Sequence, residues 1–115
     1  MSIDTLKTLD IIEVMENFRE KKRPPEHIRT KLDVDYRIED QSIIIVEVRP
    51  QWDNPSVYRD TPMAKTTFIK AKNHWKVFWM RQDLKWHSYT PKPTVEKLSD
   101  FIELVLEDKH HCFWG

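Results

Sequence analysis

The residues of this chain that could do chemistry are concentrated between Trp75 and Tyr89, WKVFWMRQDLKWHSY, where three tryptophans, a phenylalanine and a tyrosine are set among Lys76, Arg81, Lys85 and His87. Cations interleaved with rings suit a single nucleic-acid strand, because the cations meet phosphates while the rings stack on bases. The charge distribution agrees. From Arg59 to Lys92 eight cations stand against two acids, a net +6, whereas Thr94 to Lys109 is −3 and the chain as a whole is neutral. Overall neutrality weighs against a strongly nucleic-acid-binding protein, but a local basic surface still attracts an anion.

Other constellations are weaker. His110, His111 and Cys112 have zinc-ligand chemistry, yet adjacent ligands lack CxxC or HxxxH spacing and would need His74 or His87 folded beside them. Asp33 or Asp35 with Glu47-x-Arg49 offers two carboxylates and a cation on a hairpin, the parts of a metal-dependent nuclease. The pairing derived below puts Asp35 and Glu47 on opposite faces. Cys112 beside histidines resembles a nucleophile pair only in composition, since a tail without a frame positions nothing. The single glycine, Gly115, excludes glycine-rich phosphate loops. Positions with positive φ must therefore fall to Asn or Asp. No catalytic residue, metal or other cofactor is expected.

These groups need elements to hold them. Ile11, Val14, Met15 and Phe18 form a helical stripe over 10–19, with Lys21-Lys22-Arg23 suited to its C-terminus and Pro24-Pro25 as its stop. Leu32 to Ile38 alternates as a strand, and Asp40-Gln41 turns into a second strand over 42–49. A two-residue turn there pairs Ile38 with Ile43, Tyr36 with Ile45 and Val34 with Glu47. Glu47 then lies on the apolar face and needs a cation such as Arg49, Arg81 or Lys65. Pro50 to Pro62 reads as one long loop carrying Trp52. Strands are expected over 64–72, 74–81 and 84–89, with turns at Lys72-Asn73 and Gln82-Asp83, and Pro91 and Pro93 ending the sheet. Thr94 is positioned to cap a last helix with the stripe Val95, Leu98, Phe101, Ile102, Val105 and Leu106. The fold class is α+β: an antiparallel meander of four to five strands flanked by N- and C-terminal helices.

Alternation divides the aromatic run. With a two-residue turn at Gln82-Asp83, Phe68, Trp75, Val77, Trp79, Leu84 and Trp86 share the core face. Lys65, Ile69, Lys76, Phe78, Met80, Lys85, His87 and Tyr89 take the other. Arg49, Lys65, Arg81, Lys85 and His87 are the residues expected to meet an anion, and Trp52 and Phe78 to stack.

Arg49-Pro50 with Trp52, Ala64-Lys65, the run Trp75–Tyr89 and the terminal Cys112-Phe113-Trp114-Gly115 resemble the bacterial DUF3024 family, most firmly from Arg49 to Gly115. That resemblance implies no activity. At 115 residues, 39% of them hydrophobic and a third charged, one soluble domain is expected. The longest aliphatic run, Ile43 to Val46, falls far short of the roughly twenty residues of a bilayer span. The opening residues show no secretory leader, and the lone cysteine leaves no intrachain disulfide. A cytoplasmic location without a membrane partner is the expectation. The functional expectation is a non-enzymatic module binding an anionic ligand or nucleic acid. A homodimer burying Ile44, Val46 and Val48, or the second face of the hairpin, stands second, and a metal-dependent enzyme third.

Overall fold

A computed structural model describes the backbone of residues 5–114, with side chains from Thr8 onward. Helix α1 spans Thr5–Lys22, longer than the apolar stripe alone predicts. The stripe does what its spacing requires: Ile11, Met15 and Phe18 are buried and Val14 packs beside them. Pro24-Pro25 follows the helix and has no amide to continue it. Six strands follow: β1 (Asp33–Glu39), β2 (Ser42–Pro50), β3 (Tyr58–Ile69), β4 (His74–Met80), β5 (Trp86–Ser88) and β6 (Thr94–Val95), before helix α2 (Leu98–Glu107). The sheet is an antiparallel meander in the order β1-β2-β3-β4-β5, with β6 also on β4. The α+β class and the helix-flanked antiparallel meander are as expected, with five strands on the path and the two-residue β6 added beside β4.

The first hairpin has the expected register, Ile38 opposite Ile43, Tyr36 opposite Ile45 and Val34 opposite Glu47. Asp40 supplies the positive φ its turn needs, and Asn73 does the same before β4. β3 starts at Tyr58, six residues earlier than expected, so the long loop shrinks to 51–57. A bulge between Ile45 and Val46 absorbs one extra residue of β3, beside Pro62, which has no N–H to give a regular ladder.

Both helices cover one side of the sheet. Ile11, Met15 and Phe18 of α1 and Leu98, Phe101, Ile102 and Val105 of α2 enclose Val34, Ile43, Ile45, Ala64, Trp75 and Val77 in one cluster. Truncating a fully buried ring such as Phe18 or Phe101 in such a core costs about 3–5 kcal/mol. The buried Thr66 hydroxyl on this side donates to the Lys76 carbonyl at 2.8 Å.

Two expectations fail near the C-terminal end of the sheet. Pro91 and Pro93 do not end it: Val77 N–H bonds the Pro93 carbonyl and Val95 pairs with Trp75. Proline removes a donor, not an acceptor, so the crossing chain still serves β4. Thr94 consequently lies in β6 and does not cap α2. Lys97 is the N-cap instead, its amide bonded by Asp100 at 3.2 Å.

The β4–β5 hairpin differs most. Its loop has three residues, Gln82 to Leu84, closed by Arg81 N–H to Lys85 O at 3.2 Å and Leu84 N–H to Arg81 O at 2.9 Å. Leu84 has φ 61°. The pairs become Phe78–Ser88, Trp79–His87 and Met80–Trp86. One residue of slip exchanges the faces of β5. Trp86 leaves the core side, His87 and Tyr89 join it, and Leu84 is not in the core but 81% exposed. Tyr89 is buried with its ring centroid 4.9 Å from that of Phe113.

The outer edge of the sheet is closed by acids. Asp33 and Asp35 accept the amides of Val34 and Tyr36, each at 2.8 Å, in edge strand β1. Arg23 holds Asp33 with two nitrogens, at 2.9 and 2.8 Å, and Arg19 lies 3.6 Å from Asp35, fastening α1 to that edge. Burial and a Glu16 hydrogen bond push the neighbouring Tyr36 hydroxyl up to about 12. Burial opposes ionisation of Asp33, but the Arg23 and Val34 hydrogen bonds outweigh it and hold its carboxyl below the usual range.

Two tests follow from these contacts. A carboxyl depressed in the folded state stabilises above its unfolded pKa, about 3.9, because below it the unfolded chain binds more protons. Asp33→Asn should therefore lower stability at neutral pH and flatten its decline below about pH 4, read by urea unfolding across a pH series. An unchanged pH slope refutes the assignment. Leu84→Gly removes a side chain that packs on little and relieves positive φ, so it should stabilise by about 0.5–1 kcal/mol. A loss in the same urea assay would contradict the loop geometry.

Candidate functional site

With both helices on one side, the opposite side of the sheet carries its own side chains as its surface. Pairing places Lys65 beside Phe78 and Met80 beside Trp86 on that side. The Lys65 ammonium lies 5.6 Å from the Phe78 ring centroid and 5.7 Å from that of Trp86. A cation shared between two ring faces is held by their quadrupoles, worth about 0.5–1 kcal/mol per contact where solvent reaches it. Lys76, exposed, is one step along β4 on the same side. The result is a half-exposed aromatic platform with a lysine at its centre.

Next to the platform lies an aliphatic floor of Ile44 and Val46 on β2. Arg37 of β1 and Asp60 of β3 meet at 3.6 Å, and their register positions lie on either side of this strand. The ion pair spans β2, and Val46 is only 1% exposed despite facing away from the helices.

The other expected binding residues lie elsewhere. His87 is on the helix side, opposite Trp79, and its Nε2 is 2.8 Å from the Asp83 carboxylate. That hydrogen bond, aided by the Lys85 amide, holds the Asp83 carboxyl below the usual range. Arg81 lies 5.6 Å from the Trp79 ring, also off the platform. Arg49 bonds Glu47 through Nε and Nη2, at 3.0 and 2.8 Å, supplying the partner the buried-side carboxylate needed. Lys85 is exposed at the hairpin, and Trp52 is 94% exposed in the 51–57 loop. Only Lys65 and Phe78 of the expected set therefore meet, and the sequence reading missed Trp86. A leucine at the third loop position gave no glycine-like signal for the longer turn.

No group of three metal-ligating side chains occurs among the described residues. The tail is packed. Asp108, ending α2 with φ 44°, accepts the Phe113 amide at 3.0 Å and the Trp114 amide at 2.9 Å. Trp114 Nε1 donates to the Val105 carbonyl at 2.8 Å, and Lys22 lies over its ring at 4.5 Å. His110 and His111 are exposed, and burial raises the Cys112 thiol above its ordinary value, away from the thiolate a metal or nucleophile would need. Asp35 and Glu47 face opposite sides, so the nuclease arrangement does not form. An open groove of about 610 Å³ beside β6 and α2 is lined by Glu96, Asp100, Glu103 and Glu107 among others, a surface that repels anions.

The family model of DUF3024, a domain of unknown function, matches residues 3–115. The chain belongs to the DUF3024 family. No curated protein and no solved structure matches it. No helix of this DUF3024 chain is long and apolar enough to cross a membrane among the described residues.

The tail contacts are testable in this DUF3024 chain. Asp108→Asn keeps a residue tolerant of positive φ but removes the charge from two amide bonds. It should cost about 1–3 kcal/mol and speed hydrogen exchange at Phe113 and Trp114. Unchanged protection there would show that the carboxylate does not hold the tail.

Proposed function

We propose that this chain is a non-enzymatic domain that binds single-stranded nucleic acid on the helix-free side of its sheet. The observation that carries the proposal is the Lys65 ammonium set between the Phe78 and Trp86 rings on a side no helix covers. Flat sheet faces with projecting rings suit unpaired bases, which are free to lie on them. Phe78 and Trp86 are the stacking rings, each worth about 1–3 kcal/mol per base by truncation. Lys65 and Lys76 meet phosphates. Arg49, Arg81 and His87 have no direct role in this reading.

The homodimer reading draws less support. Ile44 and Val46, two of the three aliphatic residues it would bury, are already buried within one chain, and Val48 is half-buried. Fastening the Arg37–Asp60 pair over them leaves little apolar area to gain from a second copy.

The assay is fluorescence anisotropy with a labelled single-stranded oligonucleotide across a salt series. Two phosphate contacts predict a log–log salt slope of about −1.4, shallow because the basic surface is small. Phe78→Ala and Trp86→Ala should each weaken binding about tenfold or more, and His87→Ala should leave it unchanged. Absence of binding at low salt, or equal loss in the His87 variant, removes the proposal.

A further inference from the structure

The ends of the strands show a second feature, independent of the platform. β1 begins, β2 ends, β3 begins, β4 ends and β5 begins at the same end of the sheet, as the pairs Asp33–Val48, Pro50–Tyr58 and Met80–Trp86 require. β2 and β3 run on past their neighbours there, so the 51–57 loop projects as an arm. Eight large hydrophobic residues are exposed among those described, and five of them, Ile28, Trp52, Val57, Tyr58 and Leu84, lie at this end. The other three are spread over the two helices. Trp52 at 94% and Leu84 at 81% exposure contact almost nothing of their own chain. Leu84 also holds positive φ, a conformation that glycine or asparagine would adopt at less cost.

The charges at this end are mostly resolved in one direction. Three of the acids nearby are neutralised, Asp33 by Arg23, Glu47 by Arg49 and Asp60 by Arg37, and Asp83 is hydrogen-bonded to the His87 ring and the Lys85 amide. Arg59, Arg81 and Lys85 form no salt bridge among the described residues, and neither do Glu26 and Asp53. This end carries staggered apolar tips with cations among them. Such tips need a partner that deforms around them. Aliphatic Val57, Leu84 and Ile28 cannot stack on bases, which separates this end from the nucleic-acid platform. A bilayer accepts tryptophan and leucine at its interface and offers anionic headgroups to the cations around them.

We infer that this end of the sheet docks on an anionic lipid bilayer, with Trp52 and Leu84 entering the interface and Arg59, Arg81 and Lys85 meeting headgroups. Docking of this kind needs no apolar span, so it does not depend on the feature whose absence led to the expectation of no membrane partner. Two shallow anchors and three cations make it weak and reversible.

The test is co-sedimentation of the full chain with phosphatidylserine-rich vesicles and with neutral phosphatidylcholine vesicles at low salt. The expected result is preferential binding to the anionic vesicles, reversed by salt, and lowered about tenfold or more in a Trp52→Ser, Leu84→Ser double variant. A blue shift of tryptophan emission on binding should shrink in Trp52→Phe. Both changed residues are exposed, and circular dichroism confirms that the variants fold. No sedimentation with anionic vesicles, equal binding to neutral ones, or full binding by the double variant overturns the inference. Loss of vesicle binding in Phe78→Ala with the loop variants intact overturns it too, by placing the lipid on the platform. Oligonucleotide binding in the double variant should stay at the unmodified level, so the two surfaces fail or stand separately.

Discussion

The packing of two helix stripes against a single side of the sheet governs the rest of the structure. Phe18 and Met15 from one helix and Phe101 and Val105 from the other are wholly buried against Ile43, Ile45 and Val77. An α+β domain of this size has apolar surface enough to bury one sheet face well. The second face must then be managed by its own side chains. Here it is managed by long ones: Arg37 reaches Asp60 across Val46, and Lys65 lies against Phe78 and Trp86. The binding surface is what remains when a six-stranded sheet has helices for only one of its sides.

Much of this fold was legible in the sequence because its signals were local. The stripes of α1 and α2 appear at helical spacing, and the Asp40 turn sets the register of β1 and β2 without outside help. Asp40, Asn73 and Asp108 take positive φ, as a chain with glycine only at its end requires. The failures have local causes too. Leu84 and His111 take positive φ although their types do not announce it, and the first of these changes the hairpin loop from two residues to three. Since side chains alternate every residue, that one error moved Trp86, His87 and Tyr89 to the wrong sides together. Pro91 and Pro93 misled because a proline read as a strand stop still offers a carbonyl.

The candidate site was legible in composition and illegible in arrangement. Lys65 and Phe78 were placed on the same face correctly, but the turn expected at Lys72-Asn73 would have set Lys65 opposite Met80. The 3-10 turn Lys70–Lys72 lengthens the connection and shifts the register by two residues, which leaves the faces unchanged. Arg49 was correctly suspected as a partner for Glu47, which removes much of its value to a ligand. Arg81 and His87 carry the right chemistry for an anion but lie off the platform, Arg81 over Trp79 and His87 against Asp83. Spacing alone cannot separate a cation that is free from one already occupied within the chain.

The acids of β1 have a consequence for the chain in crowded or acidic surroundings. A strand at the border of a sheet is a template for strands of other molecules, and here Asp33 and Asp35 occupy two of the amides that a foreign strand would seize. The same two carboxylates hold α1 in place through Arg23 and Arg19. Protonation at Asp33 would therefore loosen the helix and unblock the border in a single event. Self-association into extended β-structure is then an acid-side hazard of this fold, and at neutral pH a partner must come to a face or an end, because the border is shut.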